Sequence, residues 1–396
     1  MTDNVLDLDA ANLRAKLVAA MADAGDLTDP GWRAAFEDVP RHVFVPYFYR
    51  PGPDGQRRIS GDDPGRREEW ITAVYEDRAL VTHLIDGNTA SSSSQPSVMA
   101  AMLQALEVDD DTRVLEIGTG TGYNSAILSH RLGDANVTTV DVDEEITTAA
   151  EQRLSRAGYR PTVATADGAH LRPTPGRFNR IIATCQIPRI PVDWFGDLYD
   201  NGFILAPIGA GLARIHRTSA TAGSGRFLPD AAFFMPLRAQ GDSGVVRRPP
   251  RPDASARATE LPVEVIADNA FRFVTSLAAP GITWQYDLDD AGKPASARLW
   301  TADGSIADVR ADGTVTEGGP RRLWSVLEGA HRFFVDHGRP TRDRFGLTVD
   351  QHGQRTWLDE PGNVFQLTQD SAGALDARDG QIPPVPGRTR GERAVR

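Results

Sequence analysis

Three glycines alternate in VLEIGTGTGY, Val114 to Tyr123, after a short apolar run and ahead of a helical pattern. Gly118, Gly120 and Gly122 allow backbone conformations closed to other residues and a close approach to a ligand. The first amides of the following helix can then receive a ligand's acidic group. The spacing selects among ligands. A dinucleotide fingerprint needs glycine or alanine one position beyond Gly122, and Tyr123 stands there. The Glu-x-Gly-x-Gly-x-Gly form starting at Glu116 suits S-adenosylmethionine, which carries a carboxylate, a sulfonium and an adenosine but no phosphate. Asp141 ends the next strand pattern, roughly 20 residues on, where an acid can accept both ribose hydroxyls. Asp167, in the Ala166–Gly168 triplet, ends a further strand pattern and is placed to hold the adenine amino group.

A second group of side chains suits an acceptor. Ser91 to Ser94 lie just before Pro96, a residue that opens helices. A carboxylate is already ionised at neutral pH, so methylating it needs no strong base. Alignment and exclusion of water remain, and proximity can supply much of such a rate. Hydroxyls orient an anion without neutralising it, and a helix N-terminus favours negative charge. A solvated serine loop is the alternative reading. Asp77 either orders this loop or is a plain surface acid. His83 reads as a surface histidine and Cys185 as a buried, inert thiol. His331 and His337 lack the spacing of metal ligands, so no zinc is expected. Trp300, Trp324 and Trp357 read as core.

The elements that must position these groups follow from periodicity. Helices are expected over 10–24, 32–39, 97–107, 123–132 and 144–157, and strands over 113–117, 137–140, 180–184 and 202–207. Strands alternating with helices imply a parallel sheet covered on both faces. Residues 50–67 are rich in Gly, Pro, Arg and Asp and read as an exposed loop. Residues 241–258 read as a linker. Beyond it come a hairpin turning at Asp303–Gly304, a helix over 322–337 and a second hairpin over 345–358. The expected division is a helical N-terminal region and loop (1–75), an α/β Rossmann-like core (76–240), the linker, an α+β C-terminal region (259–376) and a disordered tail (377–396).

Composition bounds the rest. The chain has 396 residues, 43 Lys+Arg against 54 Asp+Glu, and a net charge of −11, which lacks the footprint of a general nucleic-acid binder. One cysteine excludes a disulfide framework. No apolar run suggests a membrane span, and the acidic start does not read as a signal peptide, so a cytoplasmic protein is expected.

Several motifs resemble the protein-L-isoaspartate O-methyltransferases over about Phe36 to Arg238: PRHVFVP (40–46), YEDRAL (75–80), NTASSSSQPSVMAAML (88–103), VLEIGTGTGY, ADG, FNRIIATC (178–185), NGFILAPIG (201–209), and FFMPLR (233–238), which resembles a closing strand. The resemblance implies S-adenosylmethionine as cofactor, with Glu116, Gly118, Thr119, Gly120, Gly122, Tyr123, Asp141, Val142, Asp167, Gly168 and Thr184 as its candidate contacts. The family's acceptor-side serine falls on Ser94, and Ser91, Ser92 and Ser93 join it as catalytic candidates. The family's Thr-Ile-Ser is replaced here by Ala90 and four serines, and about 140 residues follow the linker. Those departures resemble a branch associated with ribosomally made, modified peptides (lanthipeptides and graspetides). That branch implies methylation of an aspartate in a precursor peptide, then aspartimide or isoaspartate. Repair of isoaspartyl proteins is the alternative. A non-catalytic peptide-binding scaffold and a small-molecule methyltransferase stay open, as does docking of a leader peptide by strand addition. The oligomeric state is not legible.

Overall fold

The computed structural model describes residues 2–52, 55–170, 177–238, 248–251 and 254–365. Helices α1 (Thr2–Asp23), α2 (Pro30–Asp38) and α3 (Arg41–Phe44) open the chain. A hairpin of β1 (Tyr47–Gly52) and β2 (Gly55–Ser60) follows, then α4 (Arg67–Val74), β3 (Leu80–Ile85) and β4 (Asn88–Ser93). These strands form a four-stranded antiparallel sheet in the order β2-β1-β3-β4. The segment expected as an exposed loop over 50–67 is therefore largely a hairpin and the start of a helix. Its polar residues pair across an outer edge, where a strand needs no apolar alternation. Among the described residues of the hairpin, only Ile59 and Phe48 are fully buried.

The central sheet starts after α5 (Pro96–Gln104). In chain order come β5 (Val114–Ile117), α6 (Tyr123–Leu132), β6 (Val137–Asp141), α7 (Glu144–Arg156), β7 (Thr162–Thr165), β8 (Phe178–Ala183), α8 (Asp193–Gly196) and β9 (Leu198–Ile208). β7, β6, β5, β8 and β9 are parallel neighbours. The chain leaves β5 toward β6 and β7, then crosses to β8 on the other side. Such a reversal opens a crevice at the carboxyl ends of the strands, where ligands bind in this class of sheet. β10 (Gly211–Ser219) and β11 (Ala222–Ala231) then extend the sheet antiparallel. This is the α/β, Rossmann-like core expected from the alternating pattern.

The later region has β12 (Arg257–Ala258), α9 (Asn269–Ala278), β13 (Thr283–Leu288), β14 (Pro294–Trp300), β15 (Ile306–Arg310), β16 (Thr314–Gly318), α10 (Leu323–Asp336), β17 (Phe345–Asp350) and β18 (Gly353–Leu358). β12 to β16 make a separate five-stranded sheet, but β17 and β18 do not belong to it. They complete the nine-stranded order β18-β17-β11-β10-β9-β8-β5-β6-β7. The hairpin assigned by sequence to the C-terminal region thus finishes the central sheet. Gly346 makes this pairing possible: a Cβ there would meet Trp357 ring atoms at 2.2 Å and the Gly225 carbonyl at 2.5 Å. Ser276 donates to the Phe273 carbonyl while accepting from the Ala210 amide, and Arg342 donates to the Ala210 carbonyl.

Two apolar clusters cover the central sheet. One joins Trp32, Phe36, Phe44, Leu103, Ile127 and Phe203 on the N-terminal helical side. The other joins Ile117, Ile181, Trp194 and Phe195 to Phe271, Phe273, Trp324 and Phe345, so α9 and α10 share the core of the Rossmann-like half. Trp324 is fully buried, while Trp300 and Trp357 are nearly so. No described helix is long and apolar enough to cross a membrane. The expected tail over 377–396 lies outside the described residues.

Candidate functional site

β5 ends at Ile117, and the chain turns at once: the Gly118 and Thr119 amides donate to the Val140 carbonyl of β6, at 2.8 and 3.1 Å. All three loop glycines have positive φ, at +102°, +52° and +85°. Each answers a different constraint. A Cβ on Gly118 would meet Thr184 Oγ1 at 2.8 Å. One on Gly122 would press on Ala150 and Leu154 of α7, at 3.3 and 3.4 Å. One on Gly120 would stand 3.6 Å from Ser91 Oγ, across the space between the two candidate groups.

Glu116 lies beneath the loop, fully buried. Its carboxylate accepts from Asn124 Nδ2 at 2.7 Å, from the Thr139 hydroxyl at 2.8 Å, and from the Ser125 hydroxyl. Burial pushes its pKa up against these bonds. It ties the loop to α6 and β6. Asp141 closes β6. Its Oδ2 accepts from the Gly120 amide at 3.1 Å and its Oδ1 from the Asp143 amide at 3.4 Å. Burial again raises the carboxyl, and Arg238 nearby opposes that shift. Asp143 caps α7 by accepting from the Glu145 and Ile146 amides.

The serines come from the other sheet. Ser91 to Ser93 end β4, and Ser94 and Gln95 lead into α5, so the run is a strand edge, not a loop. The strand assignment removes the freedom a solvated serine loop would have. Asp77 orders the turn: it accepts from the Ser97 amide at 2.8 Å and from Gln95 Nε2 at 3.0 Å. Arg41, which the sequence reading passed over, is fully buried behind it. Its guanidinium donates to the carbonyls of Val74, Glu76, Arg78 and Ser94 at 2.8–3.1 Å.

The two groups share one cavity of about 310 Å³, at the lower end of the range for small-molecule sites. Ser91 to Ser94 line one side; Glu116, Gly118, Thr119, Gly120, Tyr123, Asp141, Val142, Gly168 and Thr184 line the other. Gly122 and Asp167 are not in its wall. Gly122 packs on α7, and one oxygen of Asp167, Oδ1, accepts from the Ala169 amide at 2.9 Å. Residues Phe233 to Arg238 cover the cavity. This segment, expected as a strand, is an extended strap with one isolated bridge at Pro236, held by Gln186 N to Met235 O at 2.7 Å and Leu237 N to Gln186 O at 2.8 Å. Cys185 also lines the cavity, and burial pushes its thiol up to about 12, so it is a poor nucleophile.

S-adenosylmethionine fits these residues on two observations. Asn124 gives its Nδ2 to Glu116, which leaves Oδ1 as the acceptor; that oxygen is buried in the cavity wall without a partner among the described residues. An ammonium group would satisfy it. Asp141 spends one lone pair of each oxygen on a backbone amide, which leaves capacity for two hydroxyls. Asn124 was missed because a polar residue in the first turn of a helix carries no signature of its own.

The sequence pattern of the protein-L-isoaspartate(D-aspartate) O-methyltransferase family matches residues 65–231. The protein-L-isoaspartate O-methyltransferase of Gloeobacter violaceus is 32% identical over 209 residues, which make up 52% of this chain and 88% of that protein. That of Xanthobacter autotrophicus is 36% identical over 185 residues, 46% of this chain and 72% of that protein. That of Thermotoga maritima is 35% identical over 156 residues, 37% of this chain, and the chain spans about half (49%) of its length. A solved protein-L-isoaspartate O-methyltransferase structure superposes with a TM-score of 0.51 at 20% identity, covering 88% of this chain and 100% of its own, a likeness of fold.

Proposed function

The chain belongs to the protein-L-isoaspartate O-methyltransferase family, whose members are S-adenosylmethionine-dependent carboxyl methyltransferases, and we propose that it esterifies an isoaspartyl-type carboxylate in a peptide or protein. The observation that carries this reading is the single cavity in which Ser91 Oγ faces the Gly120 turn.

When bound, S-adenosylmethionine supplies a methyl group on a positively charged sulfur; the carbon–oxygen bond forms as the carbon–sulfur bond breaks, and no proton moves. The protein's work is then binding, alignment and drying. Asp141 would hold the ribose hydroxyls and Asn124 the ammonium, while the Gly118, Thr119 and Gly120 amides, given to Val140 and Asp141, keep the turn in shape. The Ser91–Ser94 hydroxyls orient the acceptor as an anion, and a hydrogen bond to a charged group is worth about 1.5–3 kcal/mol. The strap of Phe233 to Arg238 excludes water, which strengthens every polar contact inside. Gly122 supports the loop from outside the wall, where it packs on α7.

A second reading keeps the chemistry and changes the acceptor: an ordinary aspartate in a modified precursor peptide, whose ester closes to an aspartimide. It is motivated by the four serines that stand at Ser91–Ser94; the residues beyond the family match at 65–231 do not separate the two readings, since a solved protein-L-isoaspartate O-methyltransferase superposes over 88% of this chain. Mass spectrometry separates the two. The protein is incubated with S-adenosylmethionine and matched peptides bearing isoaspartate or aspartate. A methylene gained only on the isoaspartyl peptide supports repair. A gain on a modified aspartyl precursor, followed by loss of methanol as the backbone nitrogen displaces the ester, which leaves the peptide one water lighter than at the start, supports the second reading. If S-adenosylhomocysteine binds and no carboxylate is esterified, the carboxyl reading fails.

A further inference from the structure

Ser93 lines the cavity, yet it is only 3% exposed, and its hydroxyl faces a guanidinium. Arg41 Nη2 and Nε lie 3.3 and 3.4 Å from Ser93 Oγ. A guanidinium has donors and no acceptor, so the Ser93 oxygen must accept. Its own hydrogen is then turned away from Arg41, and no described residue takes it. The cavity is the remaining direction.

The guanidinium also lacks a carboxylate bonded to it. Each hydrogen-bond partner it has among the described residues is a carbonyl or hydroxyl oxygen. Asp77 is near enough to attract it but spends its oxygens on Ser97 and Gln95. Tyr123, another cavity wall, holds its ring 6.0 Å from the guanidinium carbon. Burial brings Arg41 down to about 10, which leaves it charged at neutral pH. A cation therefore sits directly behind the acceptor side of the cavity, screened from water.

We propose that Ser93 donates a hydrogen bond to the acceptor carboxylate and that Arg41 is its positioning residue, fixing the direction of that donor. The proposal rests on the carboxyl reading above. It differs from the role assigned to Ser94, whose side chain is not held by Arg41; only its carbonyl is.

The test is a double-mutant cycle in the full-length protein, read as kcat/KM for the peptide the wild type esterifies. Calorimetry with S-adenosylhomocysteine and a thermal melt accompany each variant. Ser93→Ala should lower kcat/KM by roughly tenfold to a hundredfold, the worth of one hydrogen bond to a charge, with cofactor affinity unchanged. Ser93→Thr should restore most of it. Arg41→Lys, which keeps the charge and loses the Nε donor that faces Ser93 Oγ, should lose about tenfold in the Ser93 background and less than about twofold once Ser93 is alanine. Losses that multiply across the cycle, or a Ser93→Ala variant as active as wild type, would overturn the proposal while leaving the carboxyl reading intact. A wild type that binds S-adenosylhomocysteine but esterifies no peptide overturns both.

Discussion

Asp141→Ala separates binding from folding. In the free protein its two oxygens accept from the Gly120 and Asp143 amides and leave capacity for two more donors. If these are ribose hydroxyls, each contributes about 1.5–3 kcal/mol as a hydrogen bond to a charge. Their loss is then at least about 3 kcal/mol, or roughly a hundredfold in affinity. Stability should move far less. The two amides lose an acceptor, at about 1 kcal/mol each. Against this, burial raises the Asp141 carboxyl, so its charge at neutral pH opposes folding, and removing it offsets part of that loss. Calorimetry with S-adenosylhomocysteine should show the hundredfold weakening, and a urea titration a change within about 1 kcal/mol. An affinity within about threefold of wild type, less than 1 kcal/mol, would refute the ribose assignment. A loss of affinity that merely tracks unfolding would refute the argument from lone pairs.

The same carboxyl gives a pH signature: affinity for S-adenosylhomocysteine should be full where Asp141 is ionised and decline as pH falls through its raised pKa, whereas Asp141→Asn should be weaker at neutral pH and flatter; a wild-type profile as flat as that of Asn would count against it. Gly122→Ala, at φ +85° and 3.3 Å from Ala150 Cβ, should cost about 1–3 kcal/mol of stability in denaturant unfolding while the folded fraction keeps its cofactor affinity; a selective loss of affinity would return Gly122 to the binding site. Gly346→Ala, with a Cβ 2.2 Å from a Trp357 ring atom and 2.5 Å from the Gly225 carbonyl, should cost roughly 1–3 kcal/mol by overpacking and lower the melting temperature of the whole catalytic half, because β17 pairs with β11; a separate early transition that leaves cofactor binding intact would show the hairpin to be an independent unit.

Some of the molecule could be read from its residues alone. The strand, glycine turn and helix over 114–132, and the acid at the end of β6, are encoded by spacing within a few tens of residues: apolar period, glycine where φ turns positive, helix after it. The same local logic located α10 and the hairpins at Gly304 and Gly353. It failed where polar residues form strands at an edge, as in β1–β2 and in the serine strand β4. Alternation signals a buried face, and an edge strand needs only a partner.

What tertiary structure decided is which distant segments became neighbours. Nothing near Ser91 announces that it faces Gly120, or that Arg41 fixes the hydroxyl of Ser93 from 52 residues away. Nothing in Phe233 to Arg238 announces a strap over the cavity, and nothing in Phe345 to Leu358 announces that it completes the central sheet. The physical reason is one of range. Backbone preference and hydrophobic period act along the chain and leave a local mark. The choice of strand neighbour and the burial of an arginine depend on the packing free energy of the whole fold, which no short stretch of sequence carries.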